Sequence, residues 1–158
     1  MSAGAEKDDR DGVAKIVATL NRCIEACLDG EKGYGIAAAD VRDRDLKTEL
    51  IDRARSRGEY AMTLQHLVEK LGAFAENQGT ARGTLHRGLI DARLAIEGRS
   101  DQTVLEECLR GEGAALEVYE EALERVEDLG ATDEIRSTLR SQLVALRADF
   151  VELKKRMP

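Results

Sequence analysis

Apolar residues recur along this chain every three or four positions, and almost nowhere in alternation. That period is helical. A first stripe runs Val13, Val17, Leu20, Ile24 and Cys27, then Glu31, Tyr34 and Ala38. A second runs Leu46, Leu50, Arg53 or Ala54, Arg57, Ala61, Leu64, Val68 and Leu71. A shorter one carries Leu85, Leu89, Ala92 and Ile96, and stops at Gly98. A fourth runs Leu105, Cys108, Glu112, Ala115, Tyr119, Ala122, Val126 and Leu129. The fifth holds Ile135, Leu139, Leu143 or Gln142, Leu146, Phe150, Leu153 and Met157. No segment reads as a strand.

The punctuation agrees with these stripes. Asp43, Ser100 and Thr132 stand where helix N-caps belong, because a short side-chain oxygen can accept a free N–H of the first turn. Gly130 marks a helix end. The turns at 40–43 and 129–132 are short, which makes two antiparallel hairpins. Residues 76–100 join them. About sixteen helical residues there would cover about 24 Å, enough for a crossover helix that returns the chain to the end where it first turned. The expected domain is one bundle over residues 11–158, behind a polar, disordered tail at residues 1–10.

Composition narrows this further. Aromatics are 3%, Trp is absent and the one Pro is the last residue, as an all-helical chain prefers. The net charge of −7 and the lack of a basic patch argue against nucleic acid. The polar start is no signal peptide, and no run approaches the roughly 20 apolar residues that span a bilayer, so no membrane role is expected. Three cysteines without a disulfide pattern suit the reduced thiols of a cytoplasm. Phosphate loops, nucleophile elbows and HExxH or CxxC zinc spacings are missing. Enzymatic chemistry is therefore the lesser expectation.

One phrase is written twice. Residues 25–31 read EACLDGE and residues 106–112 read EECLRGE, each Glu-x-Cys-Leu-x-Gly-Glu. Each lies on the first helix of a hairpin, which is the plan of a ferritin-like bundle. Cys27 and Glu31, like Cys108 and Glu112, are four apart and share a face. Counting residues puts Glu31 and Glu112 at one depth, about 16 Å below the turn end, so the two carboxylates are expected to meet in the core. Buried carboxylates need a cation. A di-iron site would add a Glu-x-x-His from each of the other two long helices, and neither supplies one. His66 is seven residues from Glu59, and the last helix has no His. The second helix offers Arg53 and Arg57 at the right depth. An arginine-filled polar core of Glu31, Glu112, Arg53 and Arg57, with His86 beside it, is the first reading. A metal held by Glu31, Glu112, Cys27, Cys108 and His86 is the alternative. Gly30, Gly33, Gly35, Gly111 and Gly113 bracket the carboxylates at a propensity cost, which suggests close helix approach or a small pocket. Cys27 and Cys108 read as core packing, Tyr34 and Tyr119 as packing residues whose hydroxyls seek partners. His86 reads as a structural residue tying the crossover to the bundle.

The succession LNRCIEACLDGEKGY, LHRGLIDARLAIEG and LEECLRGEGAALEVYEEAL resembles an uncharacterised family of small bacterial ferritin-like four-helix-bundle proteins over roughly residues 14–157. His86–Gly88 and Cys108–Glu112 carry the resemblance most specifically, and Leu89 stands where it leads one to expect Trp. The resemblance implies the fold; the family is a domain of unknown function and implies no activity. The expected role is a non-enzymatic binding or stress-associated interaction protein with no cofactor. The alternative is a carboxylate protein using iron or another divalent metal in redox or ferroxidase-like chemistry. A third reading is a homodimer, since ferritin-like bundles often pair through a helix face, although no exposed apolar patch in the sequence marks one; a protein or small-molecule partner is left unnamed.

Overall fold

A computed structural model describes residues 3–76 and 100–158. Four helices account for nearly all of them: α1 (Ala3–Asp40), α2 (Arg44–Lys70), α3 (Asp101–Asp128) and α4 (Asp133–Lys155). Helices α1 and α2 form one antiparallel hairpin, α3 and α4 the other. The expected crossover helix over 85–96, with His86 on it, lies outside the described residues. No helix among the described residues is long and apolar enough to cross a membrane.

Local chemistry explains the ends. Asp43 accepts the N–H of Leu46 at 2.8 Å, Ser100 that of Thr103 at 3.3 Å, and Thr132 that of Ile135 at 3.4 Å. Each satisfies an N–H that the first helical turn leaves without a backbone partner. At the close of α3, Gly130 takes φ of 68° and the N–H of Ala131 returns to Val126 O at 2.9 Å. A side chain is strained at that φ, so glycine ends the helix there. The start of α1 differs from the sequence expectation. Residues 3–10, expected as disordered tail, continue the helix outward with exposed side chains. Ala3, Ala5, Glu6 and Lys7 are good helix formers, so local propensity extends α1 beyond its packed part.

Asp101 fixes how the hairpins meet. Its carboxylate accepts the backbone N–H of Arg42 and of Asp43, both at 2.9 Å. The first residue of α3 is thereby held to the α1–α2 turn, and α3 runs antiparallel to α1. The core lies in two apolar clusters along the bundle. One gathers Leu20, Ile24, Leu64, Val68, Val126, Leu139 and Leu146. The other, toward the α1–α2 turn, gathers Ala38, Val41, Leu46, Leu50, Leu105 and Leu153. Between them sit charged side chains. Replacing Asp101 by Ala leaves two turn N–H groups to water and is expected to lower unfolding free energy by about 1 kcal/mol in urea titration.

Candidate functional site

Each helix carries an inward seam that steps alternately by three and four residues, the period of helices packed side by side. On α1 the seam is Leu20, Cys23, Cys27, Gly30, Tyr34 and Ala37, and Val41 continues it into the turn. On α3 it is Leu105, Cys108, Glu112, Ala115, Tyr119, Ala122 and Val126. The repeated phrase is therefore read in two phases. In α3 the seam steps from Cys108 by four to Glu112, which is buried at 3% exposure. In α1 it steps from Cys27 by three to Gly30, and Glu31 falls one position off it.

This corrects the expected meeting of carboxylates. Glu31 is exposed and does not face Glu112. Its carboxylate lies instead against α2 at Gly58, where an added Cβ would come within 2.7 Å of Glu31 Oε1. Gly30 leaves room for Arg57, whose Cγ would stand 3.2 Å from a Cβ placed there. Close approach thus accounts for Gly30 and for Gly58, which the sequence did not single out. It does not account for Gly33, Gly35 or Gly111, around which a Cβ meets nothing within 4 Å.

Every helix sends a polar side chain into the centre of the bundle. Arg57 of α2, 1% exposed, donates through Nη2 to Glu112 Oε1 at 2.6 Å and to Asp149 Oδ2 of α4 at 2.9 Å. Tyr34 of α1 donates its hydroxyl to Glu112 Oε2. The guanidinium lies 5.6 Å from the Tyr34 ring centroid and 5.5 Å from that of Tyr60, in the range of cation–π attraction. Arg53, also buried, reaches Glu49 at 3.4 Å and Asp149 at 3.8 Å. A second polar layer follows two turns away. Tyr119 donates to Gln142 Oε1 at 2.7 Å and lies 2.9 Å from Cys27 Sγ; Gln142 Nε2 reaches the Tyr60 carbonyl at 3.4 Å.

The electrostatics follow from burial. Loss of water raises the Glu112 carboxyl above its ordinary range, and Arg57 and Tyr34 pull it back without cancelling the rise. Burial works against the Arg57 charge, yet Glu112, Tyr34 and Asp149 more than offset it and hold the guanidinium more firmly protonated than usual. Burial also pushes the thiols up, Cys27 to about 11 and Cys108 to about 12. Both are poor nucleophiles in this state. All three cysteines are free.

Of the expected polar core, the fold brings together Glu112, Arg53 and Arg57. Glu31 lies outside it, and His86 is outside the described residues. Of the expected metal set, Cys27 belongs to the second layer and Cys108 stands beside the first. No group of three or more His, Cys, Asp or Glu among the described residues is arranged to hold a metal ion. Sequence reading missed Asp149 and the pairing of Tyr34 with Glu112. Asp149 had a signal, since it continues the seam of Ile135, Leu139, Gln142 and Leu146.

Two antiparallel hairpins around a four-helix polar centre define a ferritin-like bundle. Residues 15–125 match the family described as a domain of unknown function, DUF2383, and the chain belongs to that family. A solved structure described as ferritin-like, diiron-carboxylate proteins from Bacillus anthracis str. Ames shares the fold with a TM-score of 0.70 and 17% identity, covering 100% of both chains. No curated protein matches the chain.

Removing one member of a buried charge pair leaves the other uncompensated, at about 3–5 kcal/mol. Arg57→Leu is expected to lower unfolding free energy by about that amount, measured in urea against the unaltered chain. An unchanged denaturation midpoint would show that Glu112 does not depend on the guanidinium.

Proposed function

We propose that this chain is a non-enzymatic binding protein of ferritin-like fold, its centre held by a fixed arginine rather than by a metal. The observation that carries this reading is the fully buried Arg57 guanidinium, 2.6 Å from Glu112 and 2.9 Å from Asp149. A positive side chain already sits where two inward carboxylates converge. A divalent cation there would meet like charge and would have to compete for oxygens that Arg57 and Tyr34 engage. The donor set agrees: no imidazole joins these carboxylates among the described residues, and His66 is exposed on the outer face of α2.

The second reading is a carboxylate metal protein, since the solved structure of the same fold is described as diiron-carboxylate. The residues present do not fit it. Glu31, which would supply the matching carboxylate from α1, points at Gly58. Glu112 would have to exchange its guanidinium for a metal, and Arg57 would then keep only the partly exposed Asp149 as a partner.

Elemental analysis separates the readings. Protein expressed in iron- and manganese-supplemented medium is expected to carry well under one metal per chain. One or two metals per chain, lost in Glu112→Ala, would establish the second reading instead.

A further inference from the structure

Residues 77–99 leave the described chain at one end of the bundle and rejoin it at the other. At the first end, Asn21 Oδ1 of α1 accepts the Glu76 N–H at 2.9 Å, and the Glu76 carbonyl accepts from Gln65 Nε2 of α2 at 2.9 Å. At the second, Asp101 is held on the α1–α2 turn through Arg42 and Asp43. From Asn21 to Arg42 the rise is about 30 Å. Sixteen helical residues would cover about 24 Å of it, and the rest of the segment has ample reach for the remainder.

A cleft of about 520 Å³ follows the same route between α1 and α3. It begins at Arg22, next to Asn21, and ends at Ala37 of α1 and Val104 of α3. Along α1 that is about 22 Å. Its walls form a second apolar seam on each helix: Ala26, Gly33 and Ile36 on α1, and Val104, Gly111 and Val118 on α3. Each of these stands one position before a residue of the inward seam. An apolar stripe widened in this way buries against a further element. The groove on the other flank of α1 is already taken, since the Glu31 carboxylate lies in it against Gly58 of α2.

We infer that the α1–α3 cleft is the seat of the chain's own residues 77–99, with the stripe Leu85, Leu89, Ala92 and Ile96 turned into it. The two anchored ends, at Glu76 and Asp101, lie at the two ends of the cleft, and the lengths agree. Charge agrees as well. With Arg57 and Glu112 paired to each other, the cleft carries Glu25, Asp29 and Glu107 against Arg22. The segment brings Arg82, Arg87, Arg93 and Arg99 against Asp91 and Glu97. A net negative wall thus meets a net positive segment. The inference goes beyond the proposed function and does not depend on it, because the same segment fits the cleft with or without a metal in the bundle.

Amide hydrogen exchange of the full chain, read by mass spectrometry, tests this. Amides of residues 85–96 are expected to exchange at least about a hundredfold more slowly than in a free peptide of the same sequence. Gly33→Leu and Gly111→Leu put bulk into the cleft at positions where a Cβ meets nothing within 4 Å. Each is expected to speed exchange of residues 85–96 at least about tenfold and to leave α2 and α4 protected. Peptides from α2 and α4 show whether a variant has kept its fold, and the protection of the unaltered chain is read without any variant. Free-peptide rates for residues 85–96 in the unaltered chain would overturn the inference. Protection that neither leucine variant changes would overturn it too, by putting the segment elsewhere. A dimer in sedimentation that Gly111→Leu dissociates would assign the cleft to a second copy and overturn it as well.

Discussion

A guanidinium inside a protein must be neutralised on the spot, and the requirements of Arg57 organise this bundle. Its charge calls for Glu112 from α3 and Asp149 from α4. Its bulk requires Gly30 on α1, and its flanks rest on Tyr34 and Tyr60. Those constraints bring four helices to one level. Buried pairs of this kind add little net stability against well-packed apolar residues. What they impose is register: any slip of one helix along its neighbour strands a charge in the core.

The register is repeated at a second level. Cys27, Tyr119 and Gln142 form a neutral hydrogen-bonded layer two turns from the charged one. The apolar clusters on either side of the charged layer contain interchangeable aliphatic residues, which by themselves specify no single alignment. The polar layers do. The doubled Glu-x-Cys-Leu-x-Gly-Glu phrase contributes unequally: in α3 it delivers a buried carboxylate, and in α1 it delivers the glycine that makes room for the cation. Its two copies are complementary parts of one site rather than equivalent halves.

Much of the fold was legible because its signals are local. Asp43, Ser100 and Thr132 cap their helices through contacts within three residues. Arg53 and Arg57 could be placed at depth by counting, since rise per residue is constant. Helical phase was harder. A step of four from Cys27 leads to Glu31 and a step of three leads to Gly30, and both leave Tyr34 on the stripe. Only the packed neighbours decide between them, and they decided for Gly30. Asp149 was missed for a related reason, since Phe150 beside it is an equally regular continuation of the α4 stripe. The partners of Tyr34 and Tyr119 are 78 and 23 residues away, beyond any local pattern.

Direct coupling between Arg57 and Glu112 holds the charged layer together, and a double-mutant cycle measures it. Arg57→Leu, Glu112→Leu and the double variant would be unfolded in urea beside the unaltered chain. Strong coupling is predicted, about 2 kcal/mol or more, with the double variant more stable than either single one. Losses that add to within about 0.5 kcal/mol would contradict the account, because each residue would then be stabilising the bundle without the other.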